Sequence, residues 1–119
     1  MVRTFRTASV TRKASKLKLT DVELFKAIEQ VRSGQAVVLG GGVYKKRIKT
    51  NELRSLLLAK GGKPCFYQYL FVKNEKENIE PFELDNLRTL AKVFGRLHGK
   101  EIQNLIDSRK LTEICTHEQ

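Results

Sequence analysis

The segment Tyr44-Lys45-Lys46-Arg47-Ile48-Lys49 packs four cations into six residues. In an extended chain, side chains alternate between faces. Lys45, Arg47 and Lys49 then share one face, with Tyr44, Lys46 and Ile48 on the other. Arg54 opens the next strand-forming run, and Lys73 closes the one after it. Cations on the faces and ends of adjacent strands can converge into one anion cradle. Tyr67, Tyr69 and Phe71 alternate ahead of Lys73, which puts aromatic surface beside the cations, although Phe71 reads better as core. Phosphate-binding cations next to a stacking ring are what an RNA site requires. The same cluster can support cleavage. The ribose 2′-hydroxyl attacks the adjacent phosphate once a base removes its proton, and arginine stabilises the charge that develops. A lysine crowded by other cations loses basicity and can serve as that base or as an acid. Neither a metal nor a histidine is needed.

Other chemistries find little support. The two histidines, His98 and His117, come late and lie near no Cys or carboxylate at metal-ligand spacing. His98 reads as a capping or surface residue. Cys65 opens a strand and reads as a small buried hydrophobe. With Cys115 it forms no CxxC pattern, so neither a metal knuckle nor a disulfide framework is expected, and the compartment read from this is the cytosol. Gly40-Gly41-Gly42 lacks the Gly-Lys-Ser/Thr of a phosphate loop and reads as a turn. No cofactor is expected.

The positioning elements can be read along the chain. Val2–Thr7 is β-branched and aromatic enough for a strand, and Ser9 can cap a short basic helix ending near Lys16. The acid-free basic start also fits an organelle transit peptide, but the strand reading is preferred. Thr20, followed by Glu23, forms a capping box for a helix that runs to Arg32 and stops at Gly34. Ala36–Leu39 leads into the glycine turn, and strands are expected at Val43–Lys49, Leu53–Lys60 and Cys65–Val72, three or four in all, joined by short glycine turns in an antiparallel meander. The run Leu53–Lys60 is apolar on both faces and should be central. Pro81 begins a helix whose stripe is Phe82, Leu84, Leu87, Leu90, Ala91 and Phe94. Ile102, Leu105 and Ile106 mark another helix, and Leu111–Ile114 a tail strand. The expected class is α+β: a small antiparallel sheet with N-terminal helices and an added C-terminal helical region.

The chain has 119 residues, enough for one domain and too few for two. No apolar run approaches a membrane span. Lys and Arg number 23 against 13 Asp and Glu, for a net charge of +10. The surplus is lopsided: Met1–Lys63 holds 15 basic and 4 acidic residues, and Pro64–Gln119 holds 8 and 9. A basic half joined to a near-neutral half implies a directed field, with nucleic acid as its first partner class and an acidic protein as its second. Cations away from the strands, Lys18 and Arg32 among them, are expected to serve salt-dependent association.

The strings Gly40-Gly41-Gly42-Val43-Tyr44-Lys45-Lys46-Arg47-Ile48 and Phe71-Val72-Lys73-Asn74-Glu75-Lys76-Glu77-Asn78-Ile79 resemble the signatures of RelE/HigB-like toxins of type II toxin–antitoxin systems. The similarity is to the branch with an added C-terminal helical region, here residues 81–114, ending in Leu111-Thr112-Glu113-Ile114, and it spans Val2 to Ile114. The resemblance implies a RelE/ParE α+β fold in a single domain over residues 1–119. It also implies ribosome-dependent mRNA cleavage in the cytoplasm, and neutralisation by a cognate antitoxin, expected to carry a helix-turn-helix domain. By the same resemblance Lys45, Arg47, Arg54 and Lys73 are the catalytic candidates, with Lys46 and Asn74 at RNA-binding positions; Lys49, from the cationic face, and Tyr69, from the aromatic alternation, join the RNA-binding set on their own pattern. Relatives usually place a glycine-rich basic segment before the arginine, whereas here only Thr50-Asn51-Glu52-Leu53 separates Lys49 from Arg54. That shortening favours an alternative, a non-catalytic member that only binds its antitoxin. A ParE-like inhibitor of a DNA topoisomerase is the other alternative.

Overall fold

The computed structural model describes residues 3–49, 52–74 and 79–114. Expectations that fall on Val2, Cys115 and His117, and on residues 50, 51 and 75–78, lie outside the described residues. Within them the chain forms β1 (Phe5–Thr7), α1 (Ala8–Lys16), α2 (Asp21–Arg32), β2 (Val37–Gly40), β3 (Val43–Arg47), β4 (Leu53–Lys60), β5 (Lys63–Val72), α3 (Pro81–Gly95), α4 (Gly99–Asp107) and β6 (Leu111–Glu113). One sheet runs in the order β2-β3-β4-β5-β1-β6. The α+β class holds. The sheet is mixed rather than wholly antiparallel, because β1 pairs in parallel with β5, Phe5 opposite Phe66. Glycine turns in the sequence reveal hairpins, but they carry no information about where a strand detached from the meander will insert.

The helix boundaries follow from local chemistry. Thr7 caps α1, its hydroxyl accepting from the Val10 amide, so the cap sits two residues before the expected Ser9. The Thr20–Glu23 capping box opens α2 as expected. The Thr20 hydroxyl accepts from the Glu23 amide, and the Glu23 carboxylate accepts from the Thr20 amide at 2.9 Å. Thr20→Ala is expected to lower unfolding free energy by about 1 kcal/mol, read from the urea midpoint at constant slope. The glycine turn after β2 is tight. Gly41 has φ +62°, and a Cβ there would sit 2.6 Å from the Arg88 Cγ.

Two apolar layers sandwich the sheet. Val10, Leu24, Ile28 and Val31 from α1 and α2 pack on Leu53, Leu57 and Tyr67. The buried Tyr67 hydroxyl donates to the Leu24 carbonyl at 2.7 Å. On the other face Ala91, Phe94 and Ile102 from α3 and α4 pack on Val43, Leu58 and Phe66. Residues 55–59 are all buried, as a central strand requires. Phe82, expected in the α3 stripe, is instead exposed, since it sits in the first turn ahead of the buried positions. β6 returns to β1 at the far edge, and Arg3 pairs with Glu113 across that edge at 2.8 Å.

Two carboxylates titrate below their ordinary value of 4.5: Glu23, held by the Thr20 backbone amide and then by Lys49, and Glu113, held by the Arg3 guanidinium. A carboxylate with a depressed folded value adds stability above its unfolded value and loses it as pH falls through the folded one. The urea midpoint should therefore decline below about pH 4.5, and the decline should be shallower in the Glu23→Gln/Glu113→Gln double variant.

Candidate functional site

Strand register decides which cations meet. Arg47 lies opposite Arg54, and Lys45 opposite Leu56. On the next strand Arg54 faces Phe71, and Leu56 faces Tyr69. Leu58, two residues past Leu56, belongs to the α3 face. Alternation therefore places Lys45, Arg47, Arg54, Tyr69 and Phe71 on that face. They form two neighbouring rows, Arg47–Arg54–Phe71 and Lys45–Leu56–Tyr69. Two arginines directly opposite each other across a strand pair concentrate positive charge at one place on the face. A depression of about 400 Å³ runs along the edge of β3 where β2 has ended, lined by Gln35, Ala36, Val37, Lys45, Lys46, Arg47 and Arg54. No carboxylate stands among those lining residues.

The other candidates divide. Lys46 alternates to the opposite face, opposite Ser55, whose buried hydroxyl donates to the Lys46 carbonyl at 2.9 Å. It still reaches the depression at the strand edge. Lys49 leaves the row. β3 ends at Arg47, Lys49 turns into the left-handed region at φ +60°, and its Nζ lies 3.2 Å from the Glu23 carboxylate of α2. Lys73 and Asn74 follow β5 and are exposed, and the Lys73 amide donates to the Glu52 carbonyl at 2.6 Å. Tyr69 is 41% exposed and Phe71 only 6%. Phe71 is therefore core, as expected, and it also backs the Tyr69 ring at 6.0 Å.

Several cations that the charge map counted as surface serve the fold. Arg32 donates to the Pro64 carbonyl and the Thr4 hydroxyl, both at 3.0 Å. Expected to serve salt-dependent association, it is instead a half-buried clasp from α2 to the start of β5 and to Thr4. Lys60 donates to the Gly95 and Leu97 carbonyls at the end of α3, where a cation suits the helix dipole. Arg88 donates to Leu39 and Gly40, and Arg6 pairs with Asp21. Arg12, Lys13 and Lys16 on α1 line a groove against Tyr69 and Phe71. Sequence reasoning missed them as site neighbours, and the only signal was the absence of acidic residues from α1.

Cys65 is buried and free, its thiol pushed up to about 11 by that burial, as an inert core residue should be. His98 caps α4 from an exposed position, its amide donating to the Glu101 carboxylate at 2.8 Å. Among the described residues no three His, Cys, Asp or Glu side chains are grouped to hold a metal, and no helix is long and apolar enough to cross a membrane.

The family model described as the RelE toxin of the RelE/RelB toxin–antitoxin system matches residues 2–114. No curated protein and no solved structure matches the chain. The match covers both sheet faces, both signature segments and the tail strand, and the α+β architecture agrees with it. The chain therefore belongs to the RelE toxin family of toxin–antitoxin systems, and its implied partner is a cognate antitoxin.

Proposed function

We propose that the chain is an endoribonuclease that cuts mRNA on the ribosome and so inhibits translation, as the HigB-like branch of the family suggests. Its cytoplasmic action would be silenced by an antitoxin bearing a helix-turn-helix domain. The observation that carries this reading is the convergence of Lys45, Arg47 and Arg54 on one sheet face beside Tyr69. The two arginines bind the scissile phosphate and stabilise its developing charge. Lys45, on the same face as the two arginines, is the candidate for proton transfer, and Lys73, Asn74 and Lys46 guide the flanking strand. The test is to incubate the protein with bacterial ribosomes programmed with one defined mRNA and map the new 5′ ends. Position-specific cuts that need the ribosome and vanish on adding the antitoxin support the reading. Intact mRNA under all conditions contradicts it.

A second reading, a non-cutting member that only binds its antitoxin, draws on the short connection between β3 and β4. The Ile48 amide already donates to the Leu53 carbonyl at 3.0 Å, so little chain is left there to reach RNA. Intact mRNA together with a stable antitoxin complex would select it.

A further inference from the structure

A second cationic groove lies beside the cradle, between α1 and the last part of β5. β1 ends at Thr7, whose hydroxyl donates to the Gln68 carbonyl at 3.1 Å. Beyond that point α1 rather than a strand flanks β5, leaving an open groove of about 470 Å³. Arg12, Lys13 and Lys16 line its helix side, and Tyr69 and Phe71 its strand side. Arg12 and Lys16 stand one helical turn apart, where like charges weaken a helix unless an anion lies between them. Ser9 and Leu70 complete the lining among the described residues.

The groove and the cradle share one surface. Tyr69 is the register partner of Leu56, and Leu56 of Lys45. Two strand spacings, roughly 10 Å, therefore separate Lys45 from Tyr69. The Tyr69 ring lines the groove with the α1 cations, and on its other side it meets Leu56 and Glu83 of α3.

We propose that the α1–β5 groove is a second single-stranded RNA subsite. RNA leaving the Lys45–Arg47–Arg54 cradle stacks one base on Tyr69 and lays its flanking phosphates against Arg12 and Lys16. This rests on the RNA reading above. An acidic protein segment would also match the cations, but an exposed ring set beside the cations suits a nucleobase, whose π-face stacks whatever its identity.

The test uses the full chain and fluorescein-labelled 2′-O-methyl oligonucleotides, which cannot supply the attacking hydroxyl, so binding is read without cleavage. A tetranucleotide fills the cradle alone, and a decanucleotide reaches the groove. The wild-type protein should bind the decamer more tightly than the tetramer, and Arg12→Ala/Lys16→Ala should erase that difference. The double variant should also flatten the salt dependence of decamer binding by about 1.4 in log–log slope, at roughly 0.7 per lost phosphate contact on a single strand. Tyr69→Leu should weaken the decamer about tenfold with the slope unchanged, and Tyr69→Phe should restore it. Lys92→Ala/Lys100→Ala on α3 and α4 is the charge-matched control, and thermal melts confirm folding of every variant. Decamer binding that falls no further in Arg12→Ala/Lys16→Ala than in the control overturns the proposal. So does loss of antitoxin co-purification in that variant with RNA binding intact, which would give the groove to a protein. Absence of cleavage on ribosomes, with the binding differences present, would remove the catalytic reading and leave this one standing.

Discussion

Single-turnover cleavage of ribosome-bound mRNA is expected to fall about 10²- to 10³-fold in Lys45→Ala and in Arg54→Ala, the range typical of removing one preorganised donor to a transition-state oxyanion. Association with the ribosome should change little, because an interaction made chiefly in the transition state acts on the chemical step. Arg54 is the firmer of the two assignments. It is half-buried on β4, the most enclosed strand, next to the buried Phe71, and its guanidinium donates to the Leu53 carbonyl at 3.5 Å, which limits its freedom before substrate arrives. Arg54→Lys should recover only part of the loss, since an ammonium cannot reproduce the planar two-point contact with a phosphate. Rates at saturating ribosome measure this directly. Equal, modest losses in Lys45→Ala, Arg54→Ala and a distant lysine variant would mean that the charge acts diffusely and that no localised site exists.

The largest stability effect should come from Phe66→Ala, with a loss of about 3–5 kcal/mol. Phe66 is fully buried at the middle of β5. Its ring stacks on Phe5 at 5.3 Å and tilts against Phe94 of α3 at 4.8 Å, so it joins β1, β5 and the C-terminal helices. Truncation removes its apolar transfer energy, opens a cavity and dissolves two aromatic pairs. For a chain of this length the melting midpoint should drop by more than about 10 °C. A drop of only a degree or two would show that α3 and α4 do not pack on the sheet as described.

Much of the fold was legible because it is written locally. The Thr20–Glu23 capping box, the glycine turns and the two-sided apolar run at Leu53–Lys60 each state their structure within a few residues. Non-local placement was not legible. Nothing near Phe5 tells that β1 slots between β5 and β6, so the sheet was expected to be antiparallel throughout. In the site, period-two alternation placed Lys45 with Arg47, and only strand register could add Arg54 and Tyr69 to the same face. The same alternation misplaced Lys49, because the strand ends at Arg47 and a left-handed turn carries the side chain to Glu23. Net charge misled in another way. Arg32, Lys60 and Arg88 count toward +10, yet each donates to backbone carbonyls within the fold. The α1 cations escaped notice because what makes them neighbours of the site is a strand nearly sixty residues away.

The central claim is that the chain directs a ribose 2′-hydroxyl against the adjacent phosphate of mRNA on the ribosome. The most direct measurement replaces the single nucleotide 5′ to a mapped cut with its 2′-deoxy counterpart in an otherwise unchanged mRNA. Cleavage at that position should vanish while other positions are still cut, and the all-ribose message should yield upstream fragments ending in a 2′,3′-cyclic phosphate. Persistent cleavage of the deoxy-substituted site, or upstream fragments ending in a free 3′-hydroxyl, would contradict it.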